Sequence, residues 1–433
     1  MLDKFFKTIE KITPKKWRWV LNHDGFRRYF ANTGWMFFGQ MFSLLVSFFI
    51  GAWLARYLGP ENYGVLNYAV AFVGLFGFIA TLGVDGILTR ELVKYPEKRD
   101  ELLGTAFRLK LIGGTIAMIL CVSSAFIFKT TPLIKLLIIL FSFTFILQSV
   151  NVISLYFQAG VKAKNNVKAQ LFATLISSIL KVAVILLDKG VIWIMVVYVL
   201  DSVWQGTGFI NAYKKIGLKL KTWKFNIDLG FKILKNSWPL MLAAAASFIY
   251  AKIDQVMIGF LMGNYEVGLY AAAVKLVEIW YFIPSIICTS LFPAIINAKK
   301  TSGDLYRRRL RNLYVLMFAI SSLMAVIITF LAKPIVIILF GEGYLGSVNI
   351  LRIYIWSSIG LFLSSAVGQY LMSENLVKTI FGLNFIAMTV NVVLNIIFIK
   401  TFGLSGAAWA TFISYAVLPI AVLGGGKIWK KVG

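Results

Sequence analysis

The residues best placed to do chemistry in this chain are charges set among apolar neighbours. Lys252, Asp254, Lys275 and Glu278 all fall within AKIDQVMIGFLMGNYEVGLYAAAVKLVE, residues 251–278. Lys181 and Asp201 stand in two further apolar runs, and Arg56 precedes a Gly59–Pro60 turn. An ion in hydrocarbon is costly, so such positions mark ligand sites, ion pathways or pairs that hold helices together. Counting inward from the turn between Met262 and Val267 puts Lys252 roughly 15 Å, Asp254 about 12 Å, Lys275 about 12 Å and Glu278 about 17 Å below one end of their helices. Four charges on consecutive helices therefore share one depth. Lys275 and Glu278, three residues apart, share a face, whereas Lys252 and Asp254 point in different directions.

The chemistry expected of these groups is recognition of charge without covalent bonds. Lys252 or Lys275 would receive an anionic group, whose desolvation is otherwise prohibitive. Asp254 or Glu278 would balance the empty site, and a carboxylate that takes up an ion would couple a gradient to transport. Arg56, at the outer end of its run, would meet an anionic group there, or else snorkel to headgroups. Lys181 and Asp201, at roughly 10 and 15 Å depth, are expected as neighbouring partners. The competing account for the whole set is structural, with buried pairs that only fix helix packing.

Covalent and metal chemistry have little to work with. The one histidine, His23, precedes the first apolar run, and Cys121 and Cys288 lie in apolar stretches without motif spacing. No catalytic residue, metal site or cofactor is expected. The chain contains no GxxxxGK[ST] loop, so ATP would not drive it directly.

These charges need elements that can hold them in a bilayer. The 433 residues are 59% hydrophobic and 14% charged, against roughly 25% charge in a soluble domain. With a mean hydropathy of +0.80, the composition calls for lipid as solvent. The apolar runs give an all-α integral membrane fold with spans near 30–54, 63–84, 106–128, 133–157, 167–187 and 191–212. A second set lies near 238–262, 267–293, 311–331, 348–371, 379–399 and 405–429. Residues 1–29 form a basic segment in which Leu2, Phe5, Phe6, Ile9 and Ile12 recur at the spacing of a helix lying on the membrane surface.

If residues 1–29 are inside, 34 of the 44 Lys and Arg fall in inside segments and 7 in outside segments. That asymmetry puts both termini in the cytoplasm of an inner (plasma) membrane protein. It also explains the net charge of +26 by anionic lipid rather than nucleic acid, which is not an expected partner.

The chain repeats itself. LGPENYGVLNYAV at 58–70 and MGNYEVGLYAAAV at 262–274 align at an offset of 204, matching Gly59 to Gly263 and Gly64 to Gly268. The offset covers six spans, so the halves 30–212 and 237–430 would be lobes related by a pseudo-twofold axis along the membrane normal. Residues 213–236, rich in Lys, would link them.

LARYLGPENYGVLNYAVAFVGLFGFIATLGVDGILTREL from Leu54 to Leu92, KIDQVMIGFLMGNYEVGLYAAAVKLVE from Lys252 to Glu278 and LFPAI from Leu291 to Ile295 together resemble a known family. It is the polysaccharide transporters, O-antigen-type flippases of the multidrug/oligosaccharidyl-lipid/polysaccharide exporter superfamily. The resemblance implies two six-helix lobes around a cavity open to one side at a time. It implies a non-enzymatic flippase moving an isoprenoid-diphosphate-linked oligosaccharide from the inner to the outer leaflet. Its partners would be the lipid-linked oligosaccharide, membrane lipids and a coupling ion, proton or sodium. Lipid II flippases, similar in fold, usually carry two more spans. A cation-coupled drug antiporter of the same superfamily is the nearest alternative. A membrane polymerase or glycosyltransferase is a poorer fit, because such enzymes need a sizeable outer loop.

Overall fold

The computed structural model describes residues 24–128 and 130–424; the amphipathic pattern in residues 1–23 lies outside them. Sixteen helices follow one another with short connections. They are α1 Asp24–Gly74, α2 Gly77–Thr81, α3 Val84–Lys94, α4 Arg99–Ile127, α5 Pro132–Ser142, α6 Thr144–Leu147, α7 Val152–Ala159 and α8 Ala163–Leu186. The rest are α9 Gly190–Lys215, α10 Ile227–Leu261, α11 Asn264–Glu278, α12 Phe282–Thr301, α13 Gly303–Phe340, α14 Ser347–Tyr354, α15 Ser357–Ser373 and α16 Val377–Leu423. There is no strand among the described residues.

Among the described residues, ten helical segments are long and apolar enough to cross a bilayer. Only structures that satisfy their own backbone hydrogen bonds are stable in hydrocarbon, which is why the apolar runs become helices throughout. Many large side chains face outward, among them Phe330 at 78% and Ile127 at 79% exposure, a surface suited to lipid and not to water.

The helices outrun the apolar windows. α4 starts at Arg99 and α10 at Ile227, and α13 covers Gly303–Phe340, whereas the apolar runs begin near 106, 238 and 311. Hydropathy marks only the hydrocarbon crossing, and the helices continue on charged turns. Other runs break inside the apolar stretch. Leu82 (φ 51°) and Gly83 (φ 65°) interrupt the run after α2, and a 3-10 turn at Gln148–Asn151 interrupts the run from α5 to α7.

Two glycines turn the chain inside what is otherwise continuous helix. Gly59 takes φ 67° and Gly403 takes φ 59°, a region where an L side chain is strained. Pro60 follows Gly59 at the start of the next helical stretch, where a missing N–H costs nothing. Gly263, the repeat partner of Gly59, also has positive φ, 130°.

The tightest crossing is between α1 and α11. A Cβ built on Gly64 would collide with the carbonyl of Asn264, and one built on Gly268 would collide with the carbonyl of Pro60. The contact is reciprocal, backbone against backbone, between residues that match at the 204-residue offset. The same end of the bundle is fastened elsewhere. The Tyr344 hydroxyl donates to the Ala55 carbonyl at 2.6 Å, and Tyr57 donates to Asp188 at 2.8 Å while accepting from the Gly190 N–H at 3.1 Å.

A first test follows from the crossing. Gly64→Ala and Gly268→Ala each force two backbones apart, an overpacking cost of about 1–3 kcal/mol. Gly34 and Gly382 have open space where a Cβ would sit. In detergent, the thermal midpoint should fall for the first two variants and hold for Gly34→Ala and Gly382→Ala. Equal behaviour of all four would contradict the close crossing.

Candidate functional site

Lys275 sits seven residues beyond Gly268 on α11, two turns along the same face. The crossing at Gly64 and Gly268 therefore carries it into the first half of the chain. It lines a cavity of about 80 Å³ whose other walls come from α1, α8 and α9, including Ser47, Gly51, Thr174, Lys181, Tyr198 and Asp201. A Cβ on Gly51 would stand 2.8 Å from the Lys275 Nζ, so this position is bare where the lysine passes.

Inside the cavity the charges are unevenly matched. Asp201 accepts from the Ser177 hydroxyl at 2.7 Å. The Lys181 Nζ stands 4.5 Å above the Tyr198 ring, so the expected Lys181–Asp201 neighbours share the cavity while each takes a different first partner. Lys275 makes no ion pair or hydrogen bond among the described residues. Two ammonium groups and one carboxylate, with serine and threonine hydroxyls around them, leave an excess positive charge facing a small polar space.

Lys252 and Glu278 pair across α10 and α11 at 3.5 Å, with side chains 31% and 41% exposed. Glu278 thus stands at ion-pair distance from Lys252, while its own helix neighbour Lys275 has no carboxylate that close among the described residues. The Lys252 stem lies against Gly74 of α1.

Asp254 belongs to a separate buried network. It is 4% exposed and accepts from the Tyr270 hydroxyl at 2.5 Å and the Gln255 N–H at 2.8 Å. Tyr270 reaches Thr411 at 3.5 Å, and nearby the Asn395 amide donates to Asn391, which donates to Ser414, each at 3.1 Å. The network joins α10, α11 and both parts of α16. Arg56 is exposed and lies beside Gly341 at the Gly59 end of the bundle, away from the cavity.

One charged pair escaped the sequence reading. Lys110, counted there among loop cations, is 5% exposed within α4, and its Nζ donates to Asp85 at 2.6 Å. The pair borders a second polar cavity of about 180 Å³ that reaches Gln148 and Asn151. The signal available was that Lys110 precedes an unbroken apolar run on a helix whose first turn lies far upstream.

Two family models match the chain. That of the polysaccharide biosynthesis protein family covers residues 29–299, and that of the lipid II flippase MurJ covers 172–427. A relative from Shigella flexneri, described as "Putative O-antigen transporter", is 25% identical over 359 residues, which is 77% of this chain and 81% of its own. The fold is similar to lipid II flippase MurJ in an inward closed conformation, with a TM-score of 0.74 at 18% identity, covering 91% of this chain and 89% of that one. It is also similar to an inward-facing multidrug resistance MATE transporter of the MOP superfamily, with a TM-score of 0.76 at 15% identity, covering 90% and 95%.

The Asp254 network yields its own test. Tyr270→Phe removes a hydrogen bond to a buried carboxylate, a loss of about 1.5–3 kcal/mol. Its thermal midpoint should fall below that of the Tyr270→Phe, Asp254→Asn double variant, because the second change removes the stranded charge. A double variant less stable than the single one would show that Asp254 does not depend on Tyr270.

Proposed function

This chain belongs to the polysaccharide biosynthesis protein family, and from that premise we propose that it carries an isoprenoid-diphosphate-linked oligosaccharide from the inner to the outer leaflet by alternating access. As a member of that family it is a membrane transporter rather than an enzyme. The observation that carries the substrate assignment is the cavity in which Lys181 and Lys275 together outnumber Asp201. A cargo bearing phosphate supplies the missing negative charge, and the hydroxyls supply donors for its oxygens. A cationic drug would meet repulsion there.

Reading α1 and α16 as two spans each, turned at Gly59 and Gly403, turns ten long segments into twelve passes. The lobes are then 30–212 and 237–430, linked by 213–236, with residues 1–29 as a cytoplasmic basic segment. The reciprocal Gly64–Gly268 contact supports the pseudo-twofold relation. The distribution of basic residues supports an inner-membrane orientation with both termini in the cytoplasm. In that orientation the glycine-turned end faces outward and is closed, so loading occurs from the cytoplasmic side.

Each charge then has a role. Lys275 binds the diphosphate, with Lys181 beside it and Asp201 balancing the empty cavity. Lys252 is a second substrate cation, held neutral by Glu278 until cargo displaces the carboxylate. Arg56 receives phosphate at the outer gate. Asp254 takes up the coupling ion, a proton or sodium, in the network that spans α10, α11 and α16.

Lys275→Gln keeps length and polarity and removes the charge. Export of lipid-linked oligosaccharide should fall at least tenfold at normal membrane levels of the protein. If the lysine only packs helices, Lys275→Met, which keeps the apolar stem and length without the charge, should retain export; loss in that variant as well supports binding. Full export by Lys275→Gln would end the reading. For the orientation, a reporter active only outside the cytoplasm should stay silent when fused after residue 433.

A further inference from the structure

The segment between α9 and α10 does more than connect. Residues 214–224 contain Lys214, Lys215, Lys219, Lys221 and Lys224 with no acidic residue. All five lysines are exposed, and none meets a carboxylate at ion-pair distance among the described residues. Between them stand Leu218, Leu220 and Trp223, which turn inward onto the protein.

The segment is strapped along the start of α4. The Lys224 N–H donates to the Asp100 carbonyl at 3.2 Å, the Asn226 N–H donates to Thr105 at 3.1 Å, and the Asn226 side-chain amide donates to Glu101 at 2.5 Å. A Cβ on Gly104 would collide with the Lys224 backbone, so the bare glycine is what lets the strap lie flat. Trp223 packs on Phe107 with ring centroids 5.6 Å apart and donates to the Tyr213 hydroxyl at 3.3 Å.

Beneath the strap is a groove of about 380 Å³, lined by Gly104, Phe107, Arg108, Val150, Ile210, Leu220 and Trp223. Apart from the bare backbone of Gly104, the other side chains are apolar or aromatic, and Arg108 is exposed at the rim, 5.0 Å over the Phe225 ring, without a carboxylate at ion-pair distance among the described residues. The groove runs from the strap toward Val150 in the 3-10 break of the α5–α7 run. It therefore passes from the charged turns of α4 and α9 into the apolar part of the bundle. An aromatic ring, an arginine and a run of lysines at the mouth of an apolar slot form the lining that a membrane interface favours.

We propose that this groove holds one anionic phospholipid of the bilayer as a bound ligand. One acyl chain occupies the slot between Phe107, Val150 and Ile210, and the phosphate rests on Arg108 within the field of the strap lysines. The apolar lining excludes a free soluble anion, and the six cations without carboxylates distinguish an anionic headgroup from a zwitterionic one. The site is distinct from the cavity at Lys275 and does not rest on the identity of the transported cargo.

The test uses the intact purified chain, delipidated in detergent and offered equal phosphatidylglycerol and phosphatidylcholine, with retained lipid counted by native mass spectrometry. The wild type should hold one phosphatidylglycerol in preference to phosphatidylcholine. Arg108→Gln should lower that preference about fivefold, the effect of one cation near a charged surface. Ile210→Trp, which fills the slot, should abolish retention of that lipid while circular dichroism shows an unchanged helix content. Should Ile210→Trp misfold, Val150→Phe narrows the same slot and should also weaken retention. Neutralising Arg308 and Arg311, exposed cations on α13, should leave the preference intact. Equal retention of both lipids by the wild type would overturn the proposal. So would a preference unmoved by Arg108→Gln, or one lost with Arg308 and Arg311.

Discussion

The backbone crossing at Gly64 and Gly268 is the constraint on which the rest of the arrangement depends. Two helices approach closely enough to touch backbone to backbone only where neither carries a Cβ, and here the condition is met from both sides. Once that crossing is fixed, every residue farther along α11 has its position set by helical geometry. Lys275, two turns on, must enter the space between α1, α8 and α9. Gly51 then has to be bare as well, since a side chain there would occupy the path of the ammonium.

The repeat makes the chemistry easier to see because it is broken where the charges are. At the 204-residue offset, Lys252 aligns with Phe48, Asp254 with Ile50, Lys275 with Ala71 and Glu278 with Gly74. The glycines that shape the crossing are kept in both copies, while all four ionisable groups belong to the second. Symmetric backbone with asymmetric charge lets one group of the second copy, Lys275, enter a cavity whose walls, Lys181 and Asp201 among them, come from the first.

Much of this was legible in the sequence, and the failures have specific causes. Hydropathy located the long helices, because hydrocarbon admits only backbone that satisfies itself. Counting residues from a turn placed four charges at one depth, and the structure does bring Lys252 and Glu278 together. Counting could not assign partners. The i,i+3 rule pointed to Lys275 with Glu278, yet Glu278 turns to the neighbouring helix because Lys275 is drawn across the crossing, a long-range contact that local spacing does not encode. Lys110 was missed for a related reason: helix α4 begins at Arg99, so a lysine that sits at the edge of an apolar window is already well inside the protein. The breaks at Leu82–Gly83 and Gln148–Asn151 were also invisible, since neither interrupts the apolar character of the run.

The buried charges meet the same cost in different ways. A charge removed from water is tolerated only if other groups replace its hydration. Asp254 receives one donor on each carboxylate oxygen, a backbone N–H and a tyrosine hydroxyl. Lys275 has hydroxyl-lined space and no hydrogen-bond partner among the described residues, and Lys181 stands over the face of a ring with Asp201 in the same cavity. An ammonium in that condition gains most from an anion that arrives, because nothing has to be displaced first. Asp254 and Lys275 thus belong to α10 and α11, the helix pair joined by the Lys252–Glu278 bridge: the carboxylate is held by one donor from each helix, and the lysine faces the first half of the chain.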